Sequence, residues 1–176
     1  LVHLKKAFVE SVKPKLEAHP LMTQSMLAMI KEGSEPQEIR RFVEEEHAEP
    51  LIVDDQLVGY VKKAHDVDVN LNAHVIFENL VSKASEVLSI LHLIKNAGIS
   101  PLDVDYEIDC SEEACGDMNQ RGGGNFAKAS AEIAGLLSAT GSDTRGFCAG
   151  PAHAIVEAAA LVKSGAFRNV VVAGGG

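Results

Sequence analysis

The stretch that decides the fold is residues 143–176, whose sequence is DTRGFCAGPAHAIVEAAALVKSGAFRNVVVAGGG. Its pattern predicts a short strand from Thr144 to Phe147, followed by a tight turn that carries Cys148. A helix running to about Ser164 and a second strand from Asn169 to Ala173 complete the pattern. The sequence therefore places a thiol at the point where a strand gives way to a helix.

Cys148 is the candidate catalytic nucleophile. The first N–H groups of a helix have no partner within the helix, and the helix dipole favours an anion such as a thiolate. The small neighbours Gly146, Ala149 and Gly150 would let a substrate approach the sulfur closely. The alternative is a cysteine that merely fills space, because free cysteine is among the most often buried residue types.

The chain before this stretch continues the same alternation of strands and helices. A long helix is predicted over residues 73–96, a strand over 104–109, and a helix from Asn125, its N-cap, to about Ser138. The resulting order β-α-β-α-β, with short connections, calls for a parallel sheet with helices on both faces. Since reactive groups in such sheets collect at the carboxyl ends of the strands, Cys148 is well placed for chemistry.

The first seventy residues have a different pattern, which is mainly helical and highly charged. A hairpin over about residues 51–61 is the one strand signal in this part. We therefore predict two domains, a helical extension at 1–70 and an α/β domain at 71–176, with the chain forming part of a longer polypeptide.

Composition excludes several classes of protein. The net charge of −9 argues against nucleic-acid binding, which needs clustered Lys and Arg. No apolar run approaches the ~20 residues that cross a bilayer, so we expect no membrane partner. Three cysteines without a C-x-x-C pair favour a reducing compartment, and hence a cytoplasmic location.

Other motifs give weaker indications. Cys110 and Cys115 lie near acidic residues, but no histidine at a useful spacing completes a zinc site, so we predict no metal. The glycine-rich loop 121–125 lacks the lysine of a phosphate-binding loop, so we expect no bound cofactor. His153 stands five positions after Cys148, well apart from it around a helix. It is predicted to pair with Glu157, or simply to pack, rather than to act as a base.

Two longer stretches resemble a known superfamily. Residues 147–176 are similar to the nucleophile region of the thiolase superfamily, especially its ketoacyl synthase III branch, and NAGISPLDVDYEIDC (96–110) is similar to a helix end and strand of that branch. More specifically, EEACGDMNQRGGGNFAK (112–128) and ATGSDTRGFCAGP (139–151) resemble the beta subunits of component C of glycine/sarcosine/betaine reductase complexes.

This resemblance implies a fold, a reaction and partners. The α/β domain would be the N-terminal half of a thiolase-like fold, and the other catalytic groups would belong to a second half. Cys148 would receive an acetyl-level group from the carboxymethyl-selenocysteine of selenoprotein A. Phosphate, as co-substrate, would then release it as acetyl phosphate. The component C alpha subunit would be a further partner, and a homodimer is expected with residues 144–147 near its two-fold axis.

Two alternatives stay open. The first is a condensing enzyme or acyltransferase of the ketoacyl synthase III kind, using thioesters of coenzyme A or acyl-carrier protein. The second is a non-catalytic scaffold subunit in which Cys148 is structural.

Overall fold

The computed structural model describes residues 2–68, 71–112 and 125–176. The chain divides into two compact units, residues 1–77 and 78–176. This division falls inside a long helix, a few residues after the boundary at residue 70 that we predicted from the change in sequence pattern. Each unit is described by itself.

Among the described residues, the first unit contains three complete helices, the start of a fourth and a small antiparallel sheet. Its elements are β1 (Val2–Leu4), α1 (Lys6–Glu17), α2 (Gln24–Ala28), α3 (Pro36–Glu45), β2 (Glu49–Val53) and β3 (Gln56–Val61). The strands lie in the order β1-β3-β2, and both pairs are antiparallel. The predicted hairpin is confirmed as β2 and β3. Its turn residues Asp54 and Asp55 have φ of 49° and 60°, the left-handed conformation of the two-residue turns that suit twisted strands.

The core of this unit is an aromatic stack on β3. Tyr60 is fully buried between the rings of His3 and Phe42, each with its centroid 4.8 Å away. Phe42 comes from α3 and His3 from β1, so the stack joins the helix to two strands. The prediction of a helical extension was therefore incomplete. The unit is mixed α/β, because the three-residue strand β1 carries too short a pattern to be recognised from sequence.

The second unit is built on a parallel sheet. Its elements are α4 (Ala73–Ala97, which begins in the first unit), β4 (Tyr106–Asp109), α5 (Phe126–Ala134), β5 (Thr140–Asp143), α6 (Gly150–Ser164) and β6 (Val170–Ala173). The strand order is β5-β4-β6, with Tyr106 opposite Thr140 on one side and Val170 on the other. The predicted β-α-β-α-β order and parallel sheet are confirmed.

Two predicted element bounds were wrong. The strand expected at residues 144–147 lies at 140–143. Its sequence TGSD has no apolar alternation, and pairing with β4 decides its position. The helix capped by Asn125 ends at Ala134, not near Ser138, because Gly135 adopts a left-handed φ of 86°. The Asn125 cap itself is confirmed, since its Oδ1 accepts from the N–H of Lys128 at 2.7 Å.

The two faces of β4 differ in chemistry. Ile108 and Cys110 pack with Ala154 of α6 on one face. Successive side chains of a strand point to opposite faces, so Glu107 and Asp109 lie on the other. Residues on α4 and α5 cover these carboxyl groups, as described below. Among the described residues, no helix is both long and apolar enough to span a membrane.

Close approach of β5 to β4 depends on a glycine. A Cβ added to Gly141 would lie 2.4 Å from the backbone oxygen of Glu107. We predict that Gly141→Ala lowers the free energy of unfolding by about 3 kcal/mol or more, because backbone must move. Gly98→Ala is the matched control. Its φ is +64° but nothing lies within 4 Å of the added Cβ, so only about 1 kcal/mol should be lost. Urea denaturation of the intact protein measures both, and equal losses would contradict the prediction.

Candidate active site

Cys148 lies in a single turn of 3₁₀ helix, Phe147–Ala149, that leads directly into α6. Its side chain is exposed, so the space-filling alternative does not apply within this chain. The turn follows the carboxyl end of β5, the edge where β4 and β6 also end. Among the described residues, the N–H of Cys148 makes no hydrogen bond, whereas the N–H of Ala149 donates to the oxygen of Gly146. A free thiol and a free backbone donor therefore occur at the same residue.

The residue before Cys148 has an unusual backbone. Phe147 has φ of 48°, a left-handed conformation that bulky L-residues rarely adopt, and its side chain is 83% exposed. The preceding Gly146 lies close to α6: an added Cβ would lie 3.2 Å from the nitrogen of Gly150 and from Cδ2 of His153. The turn is thus compact, and one of its residues is strained.

Glu157 of α6 binds the segment that leads into this turn. Its two carboxylate oxygens accept from Ser142 Oγ at 3.0 Å and Thr144 Oγ1 at 2.7 Å. The predicted pairing of His153 with Glu157 was wrong, since no ion pair joins them among the described residues. The Glu157 carboxylate instead accepts hydrogen bonds from the hydroxyl groups of Ser142 and Thr144. His153 itself is exposed.

On the opposite face of the sheet, Arg145 pairs with the buried Asp109. Nη2 of Arg145 lies 2.5 Å from Oδ2 of Asp109, and its Nη1 donates to the Asp109 backbone oxygen at 3.3 Å. Asp109 is fully buried, and its other carboxylate oxygen accepts from the N–H and hydroxyl of Ser111. The Ser111 hydroxyl in turn accepts from the N–H of Gly175, just after β6. These contacts connect the carboxyl ends of all three strands.

Two further carboxyl groups are buried beside Asp109. Glu86 of α4 and Glu107 of β4 are both fully buried, and Ser130 of α5 donates its hydroxyl to Glu86. Burial raises the pKa of Glu86 to about 10, and the Asp109 carboxylate adds to this rise. Burial likewise raises the pKa of Glu107 to about 8. At neutral pH both groups therefore hold a proton, and Arg145 neutralises Asp109.

The N-terminus of α5 has a carboxylate partner as well. Asp143, the last residue of β5, accepts from the N–H groups of Phe126 and Ala127 at 3.0 and 2.9 Å. This arrangement satisfies two of the unpaired donors at the start of α5 and places a negative charge at the positive end of its dipole. The polar sequence of β5 is thus explained by contacts at both of its neighbouring helices.

Cys110 has no accessible thiol. It is buried against α6, and its Sγ donates to the Ala173 oxygen at 3.2 Å. Burial, followed by the negative charge of Asp109, raises the pKa of the Cys110 thiol. A groove of about 740 Å³ lies beside it, lined by Cys110, Glu112, Pro151, Ile155 and residues 172–176; Cys148 is not among these lining residues.

Some predicted features fall outside the described residues. These are Cys115 and the glycines of the loop at 121–124. Within the described part of the chain, His, Cys, Asp and Glu side chains form no group of three that could hold a metal ion.

Sequence reasoning missed the buried carboxyl cluster. The signal was present in the β4 sequence YEID, where acidic residues alternate with Tyr106 and Ile108. Alternation of this kind normally indicates a strand with one face in water. Here the second face is covered by helices, which only the tertiary structure reveals.

The raised pKa of Glu107 predicts how stability depends on pH. Between about pH 4.5 and pH 8 the unfolded chain loses a proton that the folded chain retains, so the free energy of unfolding falls as pH rises. Glu107→Gln cannot ionise and should reduce this dependence to the part that Glu86 contributes, raising the free energy of unfolding at pH 8 by about 1–3 kcal/mol. Urea denaturation of the intact protein at about pH 5 and pH 8 measures the effect.

The matched control is Glu132→Gln. Glu132 is an exposed carboxylate on α5 whose nearest charged partner, Lys128, lies 3.7 Å away. Its substitution should leave the pH dependence unchanged. An unaltered slope in Glu107→Gln would show that this buried group does not retain its proton.

Comparison with known proteins finds a relative that matches along the whole chain. It is the glycine/sarcosine/betaine reductase complex component C subunit beta of Peptoclostridium acidaminophilum, 57% identical over 176 residues. These residues are 100% of this chain and 34% of that subunit, so the chain spans about a third of its relative's length.

A shorter match connects the chain to condensing enzymes. The beta-ketoacyl-[acyl-carrier-protein] synthases III of two Listeria monocytogenes strains, serotype 1/2a (10403S) and serotype 4b (F2365), are each 35% identical over 83 residues. The match covers 46% of this chain and 24% of each enzyme. It agrees with the predicted relationship to the thiolase superfamily.

No family model matches the chain. No solved structure matches it either. The resemblance predicted from the sequence motifs is nevertheless confirmed: along its whole length, this chain is similar to about one third of a component C beta subunit of the glycine/sarcosine/betaine reductase complex.

Proposed function

We propose that this chain is the cysteine-bearing part of an acyl-transfer subunit in a glycine/sarcosine/betaine reductase complex. Cys148 receives an acetyl group as a thioester, and inorganic phosphate releases it as acetyl phosphate. The observation that carries the proposal is the exposed thiol of Cys148 on the turn before α6, within a chain 57% identical to a component C beta subunit.

The chemistry uses groups at the carboxyl edge of the sheet. The Cys148 thiolate attacks the carbonyl carbon of an activated acetyl donor, and the start of α6 favours the anionic sulfur. The bond from that carbon to the donor's leaving group breaks, the leaving group departs, and the acetyl thioester remains on Cys148. The N–H of Cys148, which has no acceptor among the described residues, donates to the oxyanion of the tetrahedral intermediate. A phosphate oxygen then attacks the thioester carbonyl, the C–S bond breaks, and the thiolate is regenerated.

The remaining parts of the proposal come from the resemblance. The second unit forms part of a thiolase-like fold, and catalytic groups that assist Cys148 lie elsewhere in the full-length protein. The chain assembles with a component C alpha subunit and with selenoprotein A, whose carboxymethyl-selenocysteine carries the two-carbon unit. It forms a homodimer, acts in the cytoplasm and needs no bound cofactor.

The match to the ketoacyl synthase III enzymes favours one alternative, a condensing enzyme. In that case Cys148 would take its acyl group from coenzyme A or acyl-carrier-protein thioesters, and a carbon–carbon bond would form. The chemistry at Cys148 is the same in its first half, so the acyl donor distinguishes the two functions.

Mass spectrometry of the full-length protein after incubation with acetyl phosphate tests the proposal. We expect a hydroxylamine-labile acetyl group on the peptide that carries Cys148, and none in Cys148→Ser. The matched control is Cys110→Ala, which removes the buried thiol and should leave the labelling of Cys148 intact.

Each other outcome has a defined meaning. Labelling from acetyl coenzyme A but not from acetyl phosphate would favour the condensing enzyme. A folded protein that neither donor labels would contradict both functions and favour the scaffold subunit, in which Cys148 is structural.

A further inference from the structure

The turn that presents Cys148 contains a residue with a strained backbone. Phe147 has a left-handed φ of 48°, which a bulky residue adopts only where its surroundings impose it. Its side chain is 83% exposed, so packing of the phenyl ring within this chain does not supply that constraint. Other contacts must therefore hold the segment between β5 and α6.

On the α6 side, the constraint is Glu157. Its carboxylate accepts from Ser142 at 3.0 Å and from Thr144 at 2.7 Å. Hydrogen bonds to an ionised acceptor are shorter and stronger than neutral ones. Since Glu157 lies on the helix that the turn enters, these bonds fix the start of the turn relative to its end.

On the other side of the sheet, the constraint is Arg145. It lies one residue beyond Thr144, and its guanidinium contacts both the carboxylate and the backbone oxygen of Asp109. The N–H of Thr144 donates to the same backbone oxygen at 2.8 Å. The titratable groups beside Asp109 are Glu86 on α4 and Glu107 on β4, and those beside Glu107 include Asp143 on β5 and Lys128 on α5.

We infer that Glu157 and Arg145 are positioning residues for Cys148, holding the strained Phe147 turn from opposite faces of the sheet. The inference rests on the proposed function, because it assigns these residues to the reaction of the Cys148 thiolate. Neither residue contacts the reacting atoms. Both act by keeping the Cys148 sulfur and N–H in the arrangement that the acetyl carbonyl requires.

The reaction used as readout is acetylation by acetyl phosphate. The Cys148 sulfur forms a bond to the acetyl carbon, the bond from that carbon to the phosphate oxygen breaks, and inorganic phosphate leaves. The rate is measured for the full-length protein by mass spectrometry. Hydrogen–deuterium exchange of the peptide covering residues 144–150 reports the turn itself and does not depend on any reaction.

The main variant is Glu157→Gln, in which one of the two accepting oxygens is replaced by a donor. We expect exchange in the turn to accelerate about tenfold and acetylation of Cys148 to slow about tenfold. Thr144→Val removes the hydroxyl that donates to Glu157, and it replaces Glu157→Gln as the test variant if Glu157→Gln folds poorly. The matched control is Glu132→Gln, which removes an exposed carboxylate on α5 and should change neither rate.

A second pair of variants tests the opposite face. Arg145→Gln should slow acetylation, and Arg145→Lys should recover part of the loss because the charge opposite Asp109 is kept. Arg168→Gln is the control, since its guanidinium makes no contact with the turn among the described residues.

The decisive measurement separates positioning from general stability. Glycine adopts a positive φ without strain. In Phe147→Gly the turn should therefore depend less on the contacts of Glu157 and Arg145. We expect Glu157→Gln to slow acetylation about tenfold with Phe147 present, but only about twofold when combined with Phe147→Gly. An equal loss of acetylation rate in both backgrounds, or hydrogen exchange in the turn that matches the Glu132→Gln control, would overturn the inference.

Failure of the proposed function can be told apart from failure of this inference. If the unsubstituted protein is not acetylated, the proposed function fails, and the exchange rates alone still decide whether these residues hold the turn.

Discussion

A carboxylate buried in a central strand must be paired or neutral, and the second unit is organised around this constraint. Asp109 is paired, with Arg145 on one oxygen and Ser111 on the other. Glu86 and Glu107 are neutral at pH 7 because burial raises their pKa values. One guanidinium thus neutralises the one carboxylate that stays ionised, and polar contacts join the ends of the three strands.

The sequence predicted the framework of this unit well, because long helices and apolar strands carry a clear periodic signal. Helix α4, the Asn125 cap, strand β6 and the turn containing Cys148 were all found from residue patterns. Strand β5 was misplaced by four residues, since TGSD contains no apolar alternation and its position is fixed by pairing to β4. Such pairing is a long-range property that no local pattern encodes.

The candidate site also has one part that could be predicted from local sequence and one part that could not. Cys148 could be identified because its small neighbours and the following helix lie next to it in sequence. The contacts that hold its turn could not be identified from sequence, because their partners are distant along the chain. Glu157 accepts hydrogen bonds from residues 13 and 15 positions earlier, and Arg145 donates to a residue 36 positions earlier. The left-handed backbone of Phe147 was equally hidden, because phenylalanine gives no indication of a positive φ.

The protonated carboxyls of Glu86 and Glu107 also affect the heat of unfolding. When the unit unfolds at neutral pH, both groups reach water, ionise and release their protons to the buffer. The calorimetric enthalpy therefore includes the heat of buffer protonation, and it differs between phosphate and an amine buffer such as Tris at the same pH and melting temperature. The difference in enthalpy between the two buffers therefore measures the net number of protons that the protein releases on unfolding.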